Sequence, residues 1–214
     1  MVGEMTETRA TYETKPTFRF DPKEHRYWLG DQELGHVTGI LKAFGFIWEA
    51  DEADLERGRL VHLACHYRAL GVLDMTDLDP RLAGYVHGFD RFLKDTAAEI
   101  IESEVPRYHP EHLFAGMLDL RLIIRGWTWI IDLKSGKAPK WGGLQTGPYD
   151  LLLPPSDKPR KRGCLELDAD GDYNLVPHTD RNDGADFLAL LSAYRILKQN
   201  KVIKEDKNGT SDKR

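Results

Sequence analysis

Branched and aromatic residues crowd two adjacent stretches, 118–124 and 127–133, and Arg125-Gly126 between them supplies a turn. That pattern predicts a β-hairpin. A second hairpin is predicted over 162–178, with Asp170-Gly171 at its turn. Residues 103–109 read as a strand, and 18–41 as two short strands around a turn followed by a helix. Phe18, Phe20, Tyr27 and Trp28 are the sheet formers there, and Thr38 is the expected N-cap of a helix ending near Gly45. Residues 50–71 are helical in composition, with Leu55, Leu63 and Tyr67 at helical spacing and Gly71 as a stop. Asp79-Pro80 opens the next helix. Leu82, Tyr85, Val86, Phe89, Phe92, Leu93, Ala97 and Ile100 form its apolar stripe, which predicts an end near Ile101. Residues 141–155 read as a helix with a broken start, because Pro148 cannot sit deep in a regular helix and is expected to open its productive part. The stretch 186–199 is strongly amphipathic. This order of elements predicts a mixed α/β sheet flanked by helices.

Composition adds little that conflicts. A chain of 214 residues, 41% hydrophobic and 30% charged, has the makings of one globular domain, expected over 17–200 between loose tails at 1–16 and 201–214. No apolar run approaches the roughly 20 residues that span a bilayer, and the polar N-terminus lacks a signal-peptide core, so no membrane and a cytoplasmic location are expected. Cys65 and Cys164 provide neither a disulfide framework nor a four-cysteine cluster, which excludes an iron–sulfur centre, and no phosphate-binding loop for ATP is present. The net charge of −5 does not attract nucleic acid as a whole. Between Lys134 and Arg162, however, seven Lys or Arg face two Asp, including KPRKR at 158–162, and such a patch can hold a polyanion or simply be a solvated loop.

Candidate chemistry sits in the first hairpin. Asp119 lies near the start of one arm, and the other ends in Asp132 and Lys134. Side chains two apart on a strand share a face, so Asp132 and Lys134 project together, and Asp119 can face them across the ladder. Two converging carboxylates repel and tend to take up a proton; a divalent cation removes the conflict. One or two carboxylates with waters describe a magnesium or manganese site. A lysine beside it can hold or deprotonate an attacking water, or neutralise charge on a phosphate, which suits metal-assisted phosphodiester hydrolysis. Taken alone, D-x-K followed by Ser-Gly is more often a solvated turn.

The wider sequence resembles the PD-(D/E)XK nuclease superfamily, and within it the RecB-like branch that includes phage exonucleases. The residues carrying the resemblance are Glu104 in ESEVPRYH, Gly116 and Asp119 in GMLDL, Asp132 and Lys134 in IIDLKSG, Gln145 and Tyr149 in QTGPY, and Arg57, Gly58 and His62 in ERGRLVH. The opening EHRYWLGDQELGHVTGIL is similar to a hairpin and helix that precede these motifs in phage members, so the likeness extends over roughly 18–200. It implies a restriction-endonuclease-like fold and a Mg2+- or Mn2+-dependent deoxyribonuclease. Asp119 and Asp132 would ligate the metal with the carbonyl of Leu133, and Glu104 and His62 would be accessory ligands. Lys134 would position the attacking water. Gln145 and Tyr149 would organise the site and touch the DNA backbone, where Arg57, Lys137 and Lys140 would also bind. The resemblance further implies exonucleolytic resection of linear DNA, 5′→3′ on duplex, with a single-strand annealing recombinase as partner and a homo-oligomeric ring in processive members. A structure-specific endonuclease and a catalytically silent DNA-binding module are the alternatives. Asp stands where many members have Glu at 132, and Pro148 stands where they have a helix former. His25 and His36 read as structural, Trp141 as a core anchor, and the Asp168–Asp172 cluster as turn chemistry rather than a calcium loop.

Overall fold

The protein is described by a computed structural model over residues 16–47 and 50–203. The chain opens with an antiparallel meander, β1 (Phe18–Asp21), β2 (Arg26–Leu29) and β3 (Gln32–His36). After α1 (Val37–Ala43), α2 (Glu52–Ala69) and α3 (Pro80–Thr96) come β4 (Glu99–Tyr108), β5 (Phe114–Ile124) and β6 (Trp127–Lys134), antiparallel in sequence. A crossover through α4 (Gly142–Leu151) leads to β7 (Lys161–Leu167), parallel to β6; β8 (Tyr173–His178) returns antiparallel, and α5 (Asp183–Gln199) follows. The sheet runs β1-β2-β3-β5-β6-β7-β8, with β4 on the other flank of β5 and β3 parallel to β5 at Gly35↔Phe114.

Alternation along β6 shows why two helical layers form. Ile131 and Leu133 join a core with Val61 and Cys65 of α2 and Phe89 and Phe92 of α3. Ile130, on the opposite face, joins Ile40 of α1, Tyr149 of α4 and Phe187 of α5. The restriction-endonuclease-like expectation of a mixed central sheet flanked by helices therefore describes the architecture. Gly116 is needed where α4 crosses β5: a Cβ there would stand 3.0 Å from the Tyr149 ring and 3.1 Å from Leu152 and Val37. The hairpin turn is Arg125-Gly126, both with positive φ (51° and 74°), the combination a two-residue type I′ loop requires.

Several local expectations are corrected. The segment 18–41 holds three strands rather than two, and α1 is capped at His36, not Thr38, without a side-chain hydrogen bond. Leu55, Leu63 and Tyr67 are exposed; α2 buries Val61, Ala64 and Cys65 instead. α3 stops at Thr96 because Ala97 turns left-handed, and Ile100 belongs to β4. β5 starts at Phe114, which puts Asp119 in mid-strand. Pro148 lies inside α4, seven residues into it, rather than opening it. Asp168 Oδ1 accepts from the amides of Asp170 and Asp172, the turn chemistry expected of that cluster. The expected tails, 1–16 and 201–214, lie outside the described residues except for Pro16 and 201–203.

Candidate functional site

The β5–β6 ladder is paired from Ile124↔Trp127 to Leu120↔Ile131, and the next residue on each strand is an aspartate. Asp119 is tied down by the amide of Leu133, which donates to Oδ2 at 2.8 Å. α2 brings His62 over the same point. Its Nε2 lies 3.0 Å from the Leu133 carbonyl, and its Nδ1 lies 3.4 Å from Glu104 Oε1 and 3.6 Å from Asp119 Oδ2. One ligand atom from each of His62, Glu104 and Asp119 falls within 4.8 Å of the others.

Glu104 reaches this cluster from a distorted strand. Its φ is +52°, in the left-handed region that non-glycine residues rarely occupy, and the β4 register slips between Ile100 and Glu102. Strain of this kind collects at functional sites. Glu102 braces the bend, since its carboxylate meets Arg107 from beyond Glu104 and Arg121 of β5 at 2.8 Å.

Asp132 points to a second set of partners. Its Oδ2 is 2.5 Å from Lys134 Nζ and 3.6 Å from Cys164 Sγ, while its Oδ1 is buried with no hydrogen-bond partner. Lys134 also donates to Gln145 Oε1 at 3.3 Å, and Gln145 Nε2 donates to the Tyr149 hydroxyl at 3.2 Å.

The charges are strongly coupled. Burial raises the pKa of Asp119, and the carboxylates of Asp132 and Glu104 push it further, against the opposing pull of His62. Burial alone would lower His62, but Asp119 and Glu104 outweigh it and raise the imidazole. Lys134 follows the same logic: burial opposes its charge, and Asp132 and Asp119 raise it. Three carboxylates thus face one imidazolium and one ammonium, and the conflict is met by favouring a proton on Asp119.

A divalent cation fits this donor set. The converging atoms of His62, Glu104 and Asp119 form a donor set that a metal ion can occupy, and Asp132 Oδ1 is left without a hydrogen-bond partner. Binding would compete with the proton on His62.

The expected site residues fall into two groups. Glu104, Asp119, Asp132, Lys134, His62, Gln145 and Tyr149 converge. Gln145 and Tyr149 are 4% exposed each and are hydrogen-bonded to one another beside Lys134. The Leu133 carbonyl, expected to complete the ligand shell, faces His62 Nε2 at 3.0 Å. Lys137 is ion-paired to Glu166 at 3.0 Å, Arg57 pairs with Asp54, and Lys140 is exposed. Two residues escaped the sequence reading. Cys164 lies beside Asp132 only because β7 pairs parallel to β6. Glu166 accepts from the amide of Ala138 and from Lys137, anchoring the loop after Lys134. In KPRKR, Arg160 is held by Asp150 and the Pro154 carbonyl and Arg162 by Asp183, so the two arginines serve as scaffolding, while Lys158 is exposed and Lys161, also exposed, lies over the rings of Trp127 and Trp129. Trp141 packs edge-on against Phe46 in the core.

No protein-family model matches the chain, and no curated protein does. Among solved structures, one from Eubacterium rectale, provisionally described as an exonuclease, is 16% identical over 81% of this chain and 77% of its own, with a TM-score of 0.49. An alkaline exonuclease from Laribacter hongkongensis is also 16% identical, over 78% of this chain and 94% of its own, with a TM-score of 0.36. Among the described residues, no helix is long and apolar enough to cross a membrane.

Proposed function

We propose that the protein is a divalent-metal-dependent DNA exonuclease that hydrolyses phosphodiester bonds at the ends of linear DNA. The observation that carries the reading is the Asp132–Lys134 pair beside the His62, Glu104 and Asp119 cluster, with one Asp132 oxygen buried and unpartnered. Asp119 and Asp132 would hold the cation, with Glu104 and His62 as accessory ligands or as partners of its waters. When bound, the cation supplies an activated water and stabilises charge on the phosphate. Lys134, kept as an ammonium by Asp132 and Asp119, is a donor rather than a base: it aligns the attacking water and shields the developing negative charge. Gln145 fixes the Lys134 amine, and Tyr149 fixes Gln145.

The DNA preference, 5′→3′ polarity on duplex, a recombinase partner, a ring-shaped homo-oligomer and a role in phage-type recombination are the further parts of this proposal. They are supported by the motif order from Arg57 to Tyr149. An endonuclease of the same chemistry is the second reading. Incubation with end-labelled linear duplex and covalently closed circular DNA separates the two. Magnesium-dependent loss of the linear substrate alone is expected, with the label position giving the polarity. Cutting of the circle would move the assignment to the endonuclease.

A further inference from the structure

We propose that Cys164 is a positioning residue for Asp132: its thiol donates to Oδ2 and, with Lys134, leaves Oδ1 as the oxygen presented to a divalent cation. This rests on the metal-dependent reading above and concerns how one ligand is aimed.

A carboxylate can turn about its last bond and exchange its two oxygens. Inside a protein that freedom is removed by donors placed on one side. Asp132 and Cys164 are register partners in the parallel β6–β7 pair, and they are 1% and 0% exposed. Sγ stands 3.6 Å from Oδ2, the oxygen that also meets Lys134 Nζ at 2.5 Å. Both donors therefore act on one oxygen and neither on the other. Oδ1 is left buried without a partner. An unsatisfied buried acceptor is uncommon and costly, and a cation ligated there removes the cost.

The thiol is itself confined. α4 begins directly against it at Gly142, where a Cβ would stand 3.1 Å from Cys164 Sγ and 2.9 Å from His178 Cε1. His178 in turn is fixed by Thr146 Oγ1 at 2.9 Å from Nδ1. The bland alternative is that Cys164 only fills space, as buried cysteines often do. The two readings differ in what a hydroxyl does. A filler is replaced equally well by alanine or serine; a donor is replaced by serine alone.

The test is a calorimetric Mn2+ titration of the full-length wild-type protein, Cys164→Ser, Cys164→Ala and Cys164→Val, with Asp132→Ala as the reference for a lost ligand. Thermal melts without metal check that each is folded, and Cys164→Val keeps the volume filled if Cys164→Ala melts early. Serine is expected to retain most of the affinity. Alanine and valine are expected to lose about tenfold, the lower end for partners that orient metal ligands. The Mg2+ concentration for half-maximal DNA cleavage should rise in parallel, with little change in kcat at saturating metal. Equal affinity in the serine, alanine and wild-type proteins would overturn the proposal, as would equal loss in serine and alanine. Absence of Mn2+ uptake by the wild type would instead overturn the metal-dependent reading on which it stands.

Discussion

Glu104 combines a left-handed backbone at φ +52° with a carboxylate facing Asp119 across His62. A side chain is strained there and glycine is not. Glu104→Gly is therefore expected to raise the stability of the metal-free protein by about 1 kcal/mol while weakening Mn2+ binding. Glu104→Ala should weaken binding without the gain in stability. Thermal melts with and without Mn2+ check both. His36 gives a separate, acid-side prediction. Both its ring nitrogens are buried without partners; burial, with His25 beside it, lowers its pKa to about 4 from 6.5, against a small upward pull from Glu33. The unfolded chain takes up that proton near pH 6.5 and the folded chain only near 4. Its contribution to stability is thus complete above about pH 6.5 and is lost as the pH falls towards 4. Urea unfolding of wild type and His36→Phe at pH 7, 5.5 and 4.5 should show a steeper decline in the wild type; parallel declines would contradict the assignment.

At the scale of elements, α4 carries Gln145 and depends on its neighbours for its place. It leans on the start of α5: a Cβ at Gly143 would stand 2.5 Å from Asp183 Oδ2, and one at Gly147 2.7 Å from Asp183 Cβ. Asp183 is held by Arg162 of β7 at 2.9 Å, and both are under 10% exposed. Arg162→Met would strand a buried carboxylate, at a cost of about 3–5 kcal/mol. The double variant Arg162→Met, Asp183→Leu should recover much of that loss in chemical denaturation. These elements also show where periodicity misleads. The apolar spacing of Leu55, Leu63 and Tyr67 marks α2 as a helix, yet the buried face is set by the smaller Val61, Ala64 and Cys65, because α2 packs close to the sheet beside α3. The stripe of α3 continues in sequence to Ile100, but Ala97 breaks the helix and Ile100 reaches the same core from a strand. Pro148 removes one helical donor inside α4, and tertiary packing of its neighbours on β5 and α5 outweighs that loss.

In the whole molecule, what was legible in sequence was what is local. Both hairpins, with turns at Arg125-Gly126 and Asp170-Gly171, were readable because turn chemistry and strand composition lie side by side. So was the pairing of Asp119 with Asp132 and Lys134, which one hairpin register fixes. The parallel pairings, β3 with β5 and β6 with β7, join segments separated by helices, and no local signal marks them. For that reason Cys164 and Glu166 were missed, and the inward use of Arg160 and Arg162 was hidden inside a run that reads as a basic patch. The proposed function rests on a metal-assisted hydrolytic centre that this sheet would assemble around Lys134. Single-turnover degradation of linear duplex DNA by wild type and Lys134→Ala, in Mg2+ and in excess chelator, tests it most directly. The expected result is cleavage by the wild type that stops in chelator and is at least about 100-fold slower in Lys134→Ala, with Mn2+ binding by the variant retained. Cleavage that persists in chelator, or that Lys134→Ala performs at the wild-type rate, would contradict the account.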